Sequence, residues 1–298
     1  MTIAIGTVCS GIEAPIIALK NMKIPFRHAF ACENDSACRM VIEIKCAPQV
    51  FYRDLWDMSE LPGVPSCDIL IAGLPCQAFS GIGRREGFDD PRGQLYKPLS
   101  LLLDRIGPKY MIFENVKNML NHDKGRTFQK VVEHFQGYGY DMKYSVLISS
   151  DYGVPQLRKR VYAVCYRADD PDGEAYEFPQ LVPLKLKLNK ILGGDCDREL
   201  GYTVRVGGRN SPMGDRHNWD GYVVDGKEMR IGPEHAAQLQ GFPKNFYKGV
   251  PVPEAEQMKQ MGNTMTTTVI GAVMGNLLFD GVALKETRAK SEKSSALA

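Results

Sequence analysis

Three kinds of side chain in this sequence are spaced so that they could share one reaction: a thiol at Cys76, a carboxyl at Glu114, and guanidiniums at Arg158 and Arg160. Cys76 stands in Gly73-Leu74-Pro75-Cys76-Gln77-Ala78-Phe79-Ser80, just after the apolar run Asp68-Ile69-Leu70-Ile71-Ala72. A packing cysteine sits inside a strand pattern, as Cys165 does. A cysteine on the lip of a loop at a strand's end is placed to react, and nearby cations or helix N-termini favour its thiolate. Glu114-Asn115 ends a second run, Tyr110-Met111-Ile112-Phe113, and Gln156-Leu157-Arg158-Lys159-Arg160 leads into a third. The chemistry is that of a nucleophile with an acid and a cation in support. Taken singly, each has a plainer reading: a solvated carboxylate after a strand, or a basic surface face. In one order at one edge they point to a site.

A second constellation lies nearer the start. The first apolar run, Ile3 to Val8, enters Cys9-Ser10-Gly11-Ile12-Glu13-Ala14. Glycine at a strand-to-helix turn lets a ligand approach the backbone, and open α/β sheets bind ligands at the carboxyl ends of their strands. The next strand ends in Glu33-Asn34, where a carboxylate suits the two hydroxyls of a ribose. Asp54, after a third apolar stretch, suits an adenine amino group. A dinucleotide oxidoreductase would also fit this pattern, but the full Gly-x-Gly-x-x-Gly is missing.

The elements that must carry these residues alternate short apolar runs with helical spacing, predicting a Rossmann-like, doubly wound, mostly parallel α/β sheet. Strands are expected at residues 3–8, 28–32, 68–72, 110–113, 144–148 and 160–165. Helices are expected at 12–22, 36–46, 95–106 and 127–136. The texture changes after Arg167, where Gly, Pro, Asp, Arg and Asn dominate. The expected organisation is a catalytic and cofactor-binding domain over 1–168 and a small loop-rich recognition domain over 169–252. A segment over 253–284 returns to the first domain, its helix running from Thr264 to Leu278. A Ser, Lys and Ala-rich tail over 285–298 is expected to be disordered.

Net charge is only +2, so nucleic acid is neither required nor excluded by it. The 8 cysteines contain no Cys-x-x-Cys and no zinc spacing, so no metal is expected. No secretory signal and no run long enough to span a bilayer is visible. These features predict an intracellular, cytoplasmic protein with free thiols and no membrane partner.

The ordered motifs resemble those of the cytosine-carbon-5 DNA methyltransferases over residues 3 to 280. Ser10-Gly11-Ile12 resembles the family's cofactor loop and Glu33 its ribose acid. Pro75-Cys76-Gln77 resembles the nucleophile motif, and Asp90-Pro91-Arg92-Gly93 the end of the catalytic loop. Glu114-Asn115-Val116 resembles the acid motif, and Gln156-x-Arg158-x-Arg160 the motif that organises the active site. Pro233-Glu234 to Gly241-Phe242-Pro243 and Gly262-Asn263 resemble the last two.

The resemblance implies that Cys76 adds to carbon-6 of cytosine, Glu114 holds a proton at N3, Arg160 contacts O2, and Arg158 and Asn115 complete the catalytic set. S-adenosylmethionine would lie against Cys9, Ser10, Gly11, Ile12, Glu33, Asn34, Asp54, Pro75 and Asn263. Double-stranded DNA, with the target base flipped out, would meet Gln77, Ser80, Arg84, Arg85 and Arg92 on the catalytic loop. Thr203, Arg205, Arg209 and Asn210 would meet it on a recognition loop. A monomer fits one-strand-at-a-time chemistry, and any cognate restriction endonuclease is not required for activity. Such an enzyme would associate with the nucleoid, or act in a phage-infected host cell.

Two departures from the family stand out. Cys9 replaces an aromatic residue and Glu13-Ala14 replaces a Gly pair, which bears on cofactor stacking. The stretch between Arg167 and Lys227 is short. The rival readings are a tRNA cytosine-5 methyltransferase of the same fold and an inactive homologue serving as a DNA- or partner-binding module. Ala78-Phe79-Ser80 favours the DNA enzymes over the first, and the intact Cys76, Glu114, Arg158 and Arg160 disfavour the second.

Overall fold

A computed structural model describes residues 2–74 and 95–279. Strand β1 (Ile3–Val8) is apolar on both sides and lies inside the sheet. The seven strands run in the order β3 (Val50–Tyr52), β2 (Phe26–Cys32), β1, β4 (Ile69–Ala72), β5 (Tyr110–Val116), β7 (Lys159–Arg167), β6 (Tyr140–Ile148). The first five are mutually parallel, while β7 is antiparallel to both of its neighbours. The expected mostly parallel, doubly wound sheet is what forms.

Side chains alternate across the sheet as a strand requires. Ile69 and Ile71 face one core and Leu70 and Ala72 the other. Helices α1 (Ala14–Met22) and α2 (Ser36–Lys45) contribute Ile16, Leu19, Val41 and Ile42 to the first core. Helices α3 (Leu55–Glu60), α4 (Tyr96–Ile106) and α5 (Arg126–Gln136) supply Leu55, Leu99, Leu102, Phe128 and Phe135 to the second. Local signals start two of these helices. Asp35 Oδ1 accepts from the backbone N–H groups of Ala37 and Cys38, and Asp54 Oδ1 from those of Trp56 and Asp57.

The final strand pair is longer than its apolar runs suggest. β6 begins at Tyr140, four residues before the expected start, because its early positions alternate half-exposed polar and apolar groups. Tyr140 anchors that end by donating from its hydroxyl to Pro108 O at 2.7 Å.

Beyond β7, short helices α6 (Pro171–Glu174) and α7 (Leu188–Leu192) precede a hairpin of β8 (Gly221–Val224) and β9 (Lys227–Arg230), turned by Asp225-Gly226 with both φ angles positive. Helices α8 (Pro233–Leu239), α9 (Glu254–Asn263) and α10 (residues 267–279) follow. Trp219, Tyr222, Leu239 and Phe242 join the same buried cluster as Ile5 and Leu19, so the 169–252 segment shares a core with the sheet. All 7 described cysteines are free thiols. Among the described residues no helix is long and apolar enough to cross a membrane.

Candidate active site

Parallel pairing brings the carboxyl ends of β1, β2, β3 and β4 to one edge, stitched by backbone hydrogen bonds. Cys9 N donates to Cys32 O at 2.8 Å, Glu33 N to Tyr52 O at 3.2 Å, and Gly73 N to Val8 O at 3.0 Å. Cys9 through Glu13, Glu33-Asn34, Asp54 and Gly73-Leu74 therefore share that edge. In β5, Phe113 is level with Ala72 of β4. Glu114 and Asn115 thus emerge beside Gly73 and Leu74, and Asn115 Nδ2 donates to Leu74 O at 3.4 Å. Pro75, Cys76, Gln77, Ser80, Arg84, Arg85 and Arg92 lie outside the described residues, with Leu74 two positions before the thiol.

The antiparallel run of β7 explains Arg160. Its first residues reach the edge where β5 ends, with Arg160 opposite Val116 and Tyr162 opposite Glu114. Arg160 Nε stands 3.1 Å from Glu114 Oε1. This is ion-pair distance without hydrogen-bond alignment, and Oε1 has no hydrogen-bond partner. Burial pushes the Glu114 carboxyl above its ordinary range, against the opposing pull of Arg160 and Arg158. A buried carboxyl whose affinity for its proton is raised, beside a guanidinium, can donate to a ring nitrogen and stabilise the charge that follows.

Arg158 is placed differently from Arg160. It is 2% exposed and donates to three backbone carbonyls: Val204 at 2.9 Å, Gly262 at 3.2 Å and Thr264 at 2.8 Å. Its part is to tie β7's entry to the 169–252 segment and to the end of α9. Gln156 does likewise: its amide donates to Leu239 O and its Oε1 accepts from Val204 N. Gln240, not singled out from the sequence, donates to Met261 O and accepts from Thr266 Oγ1. Buried glutamines in an otherwise apolar setting were the only signal that could have found it.

At the proposed cofactor edge, Glu33 Oε2 accepts from Gly11 N at 3.0 Å and Oε1 from Asp35 N at 2.9 Å. Burial raises its carboxyl's affinity for protons while these N–H groups oppose the rise. Gly11 has φ +65°, and a side chain built there would meet nothing within 4 Å, so the turn presents bare backbone to open space. Such a turn beside a carboxylate fits an adenosyl ribose. Glu33 and Asp54 both bear on Cys9, whose thiol burial pushes well up. Cys9 itself takes a left-handed φ of 51°. Ile12 is fully buried in the core, so it can offer a ligand only its backbone. Ser10 donates its hydroxyl inward to Glu13. Asn34 is exposed, and its carbonyl accepts from Arg39. Asn263 is exposed at the end of α9, whose Lys259 pairs with Asp35 at 3.5 Å.

A cleft of about 870 Å³ opens between Arg160 and Val116 on one side and residues 202–219 on the other, with Asn263 at its rim. Thr203 and Arg205 line it. Arg205 donates to His217 O at 2.6 Å, and Thr203 Oγ1 to Leu157 O. Arg209 instead turns to Glu254 at 2.8 Å, and Asn210 uses its backbone N–H on the Asp220 carboxylate, at φ 63°. The lining also includes Arg216 and His217, neither foreseen from the sequence, with Arg216 Nε donating to His217 Nε2 at 3.0 Å. An Arg-His pair before a buried tryptophan in a turn-rich stretch was the available sign.

Comparison with known proteins gives the same picture. The family model of the C-5 cytosine-specific DNA methylases matches residues 3–204. The chain is 29% identical over 293 residues to the type II methyltransferase M.DsaV of Dactylococcopsis salina, covering 86% of this chain and 82% of that one. It is 31% identical over 288 residues to M.NgoBI of Neisseria gonorrhoeae, covering 85% and 87%. The S. pombe Dnmt2 methyltransferase shares the fold, with a TM-score of 0.67 at 16% identity over 93% of this chain and 98% of that one. With two-thirds of its length under the family model, and Glu114 and Arg160 paired at the sheet edge, the chain belongs to the C-5 cytosine-specific DNA methylases.

Proposed function

We propose that this DNA methyltransferase moves a methyl group from S-adenosylmethionine to carbon-5 of a cytosine flipped out of duplex DNA, with Cys76 as the nucleophile. The observation that supports this most is Glu114, a carboxyl that burial pushes above its ordinary range, 3.1 Å from Arg160.

Cytosine carbon-5 is a weak nucleophile until a thiolate adds to carbon-6. As the Cys76 sulfur bonds carbon-6, negative charge moves into the ring, and Glu114 meets it with a proton at N3. Arg160 sits beside Glu114, where it can hold the neighbouring O2. S-adenosylmethionine, when bound, supplies an electrophilic methyl that the activated carbon-5 accepts. Loss of the carbon-5 proton then expels the Cys76 thiolate and restores the ring. Asn115, bonded to Leu74 O, fixes the approach to Cys76, and Arg158 positions the frame. Glu33 would take the ribose hydroxyls, Asp54 the adenine amino group, and Gly11 and Asn263 would flank the cofactor.

Flipping the base costs a few kcal/mol, offset by cationic contacts to phosphate from the 77–93 loop and the cleft rim. In this reading the 169–252 segment recognises the site and a monomer suffices. No cognate endonuclease is needed, and the enzyme works where bacterial or phage DNA is present. The test is radiolabelled methyl transfer onto duplex DNA and onto tRNA, with wild type and Cys76→Ala. Label on DNA from wild type alone supports the proposal. Label on tRNA only, or an active Cys76→Ala, refutes it.

A further inference from the structure

Glu13 is the least expected residue of the cofactor turn. It is fully buried and holds a left-handed backbone, φ 63° and ψ 45°, which is strained for any residue with a side chain. Burying a carboxyl is a second cost. Both are accepted at the turn whose Gly11 N–H bonds to Glu33. Glu13 Oε1 accepts from Ser10 Oγ and from Thr7 Oγ1, each at 2.7 Å. Its Oε2 has no hydrogen-bond partner and lies 3.9 Å from His28 Nε2. Packing alone gives no reason for such a group: an apolar side chain would fill the space without either hydroxyl tether.

We propose that Glu13 is a positioning residue of the cofactor site, fixing the Ser10-Gly11 turn through Ser10 Oγ and, on ionising, strengthening the hold on the net-positive S-adenosylmethionine. This rests on the cofactor reading above. S-adenosylmethionine carries an ammonium, a sulfonium and a carboxylate, whereas S-adenosylhomocysteine lacks the sulfonium and is neutral overall.

The surroundings set the direction. Burial pushes the Glu13 carboxyl up to about 7, with Glu33 on β2's end adding to the rise and the two hydroxyls opposing it. His28 on β2 is pushed down to about 4, chiefly by burial and further by Lys20 of α1. It therefore stays neutral near pH 7 and does not cancel a new charge. Cys46, after α2, faces Glu13 as a neutral thiol, with Lys20 and Lys45 beyond. A cation bound in front of Glu33 favours ionised Glu13, so by linkage affinity for S-adenosylmethionine rises with pH through about 7.

Calorimetric titration of the full chain with S-adenosylmethionine and with S-adenosylhomocysteine, between pH 6 and 8, tests this for wild type and Glu13→Gln. The expected wild-type affinity for S-adenosylmethionine rises with pH, about tenfold for each unit by which binding lowers the Glu13 pKa. The rise is smaller for S-adenosylhomocysteine and absent in Glu13→Gln. That variant keeps an oxygen for Ser10 and Thr7, so its affinity at pH 6 stays near wild type. Parallel profiles for the two proteins, with tight binding in both, overturn the inference and leave the cofactor reading standing. No binding of either ligand by wild type overturns both. Should Glu13→Gln fail to fold, Ser10→Ala replaces it: lower affinity at every pH with the wild-type slope retained supports the inference, and unchanged affinity refutes it.

Discussion

Glu114 and Arg160 approach to 3.1 Å from neighbouring antiparallel strands, yet burial, not the cation, decides which way the carboxyl leans. An exposed pair at this distance would hold the carboxylate ionised. Here burial shifts the carboxyl toward its acid form, the form that can give a proton. Glu114→Gln keeps the shape and removes that proton. Methyl transfer should fall by about 10²–10⁴-fold, a typical general-acid contribution, while equilibrium binding of duplex DNA stays within a few-fold. A variant of near wild-type rate would remove Glu114 from the mechanism.

Arg158 is expected to matter for folding before catalysis. Its guanidinium serves three carbonyls from two distant segments, and Arg158→Ala would strand all three. Each buried carbonyl left without its partner costs about 1–3 kcal/mol, so a loss of about 3 kcal/mol or more is expected. Urea denaturation would measure it. Arg158→Lys should recover little, because one ammonium cannot present the same fork.

Gly73→Ala should disturb the cofactor turn from the other side. A Cβ at position 73 would come within 2.4 Å of Cys9 O and 3.3 Å of Ser10 Cα. Backbone must move, at a cost of about 1–3 kcal/mol for overpacking. The expected readouts are a lower melting temperature and weaker S-adenosylhomocysteine binding by calorimetry. An unchanged affinity would mean that the turn tolerates displacement.

Two buried groups should pull the pH dependence of stability in opposite directions, leaving its maximum in the mildly acidic range where neither loss is complete. The Glu13 carboxyl is raised from 4.5 to about 7 in the fold, so its contribution is intact below pH 4.5 and is lost as pH rises to about 7. The His28 imidazole is lowered from 6.5 to about 4, so stability is lost as pH falls from 6.5 toward 4. Glu13→Gln should abolish the first loss, which amounts to roughly 3 kcal/mol at most. Melting temperatures from pH 4 to 8 would reveal it, and identical curves for the two proteins would contradict the assignment.

Arg216 faces the cleft with no carboxylate partner within ion-pair distance among the described residues, whereas Arg209 is paired with Glu254. Arg216→Ala should weaken DNA binding and lower the salt slope by about 1 if it meets phosphate, or relax site preference if it meets a base. Arg209→Ala should do less. Fluorescence anisotropy across a salt series, with bisulfite sequencing of methylated DNA, separates these outcomes. Equal effects from the two variants would undo the distinction.

What could be read from the sequence was whatever each strand end carries by itself. Glu33 and Glu114 close apolar runs, and a parallel sheet must bring them to one edge. Arg160 was legible as a neighbour, but the antiparallel sense of β7 that delivers it was not, since a strand's direction leaves no mark on its composition. Arg158 looks the same as Arg160 in the motif, and only its three carbonyl partners separate their tasks. Arg209's bond to Glu254 and the Arg216-His217 wall depend on pairings between segments that periodicity does not register.

The two bonds that Val204 makes, its carbonyl to Arg158 and its N–H to Gln156, set a limit on exchange between relatives. A segment borrowed from another enzyme to replace this one would have to offer a carbonyl and an N–H at the same height, or bring an unsatisfied guanidinium and amide into the middle of the protein. Substitution along the rim from Arg205 to His217 leaves both bonds in place, with Val204 as the fixed point. In this methyltransferase a graft that spares both bonds starts just after residue 204.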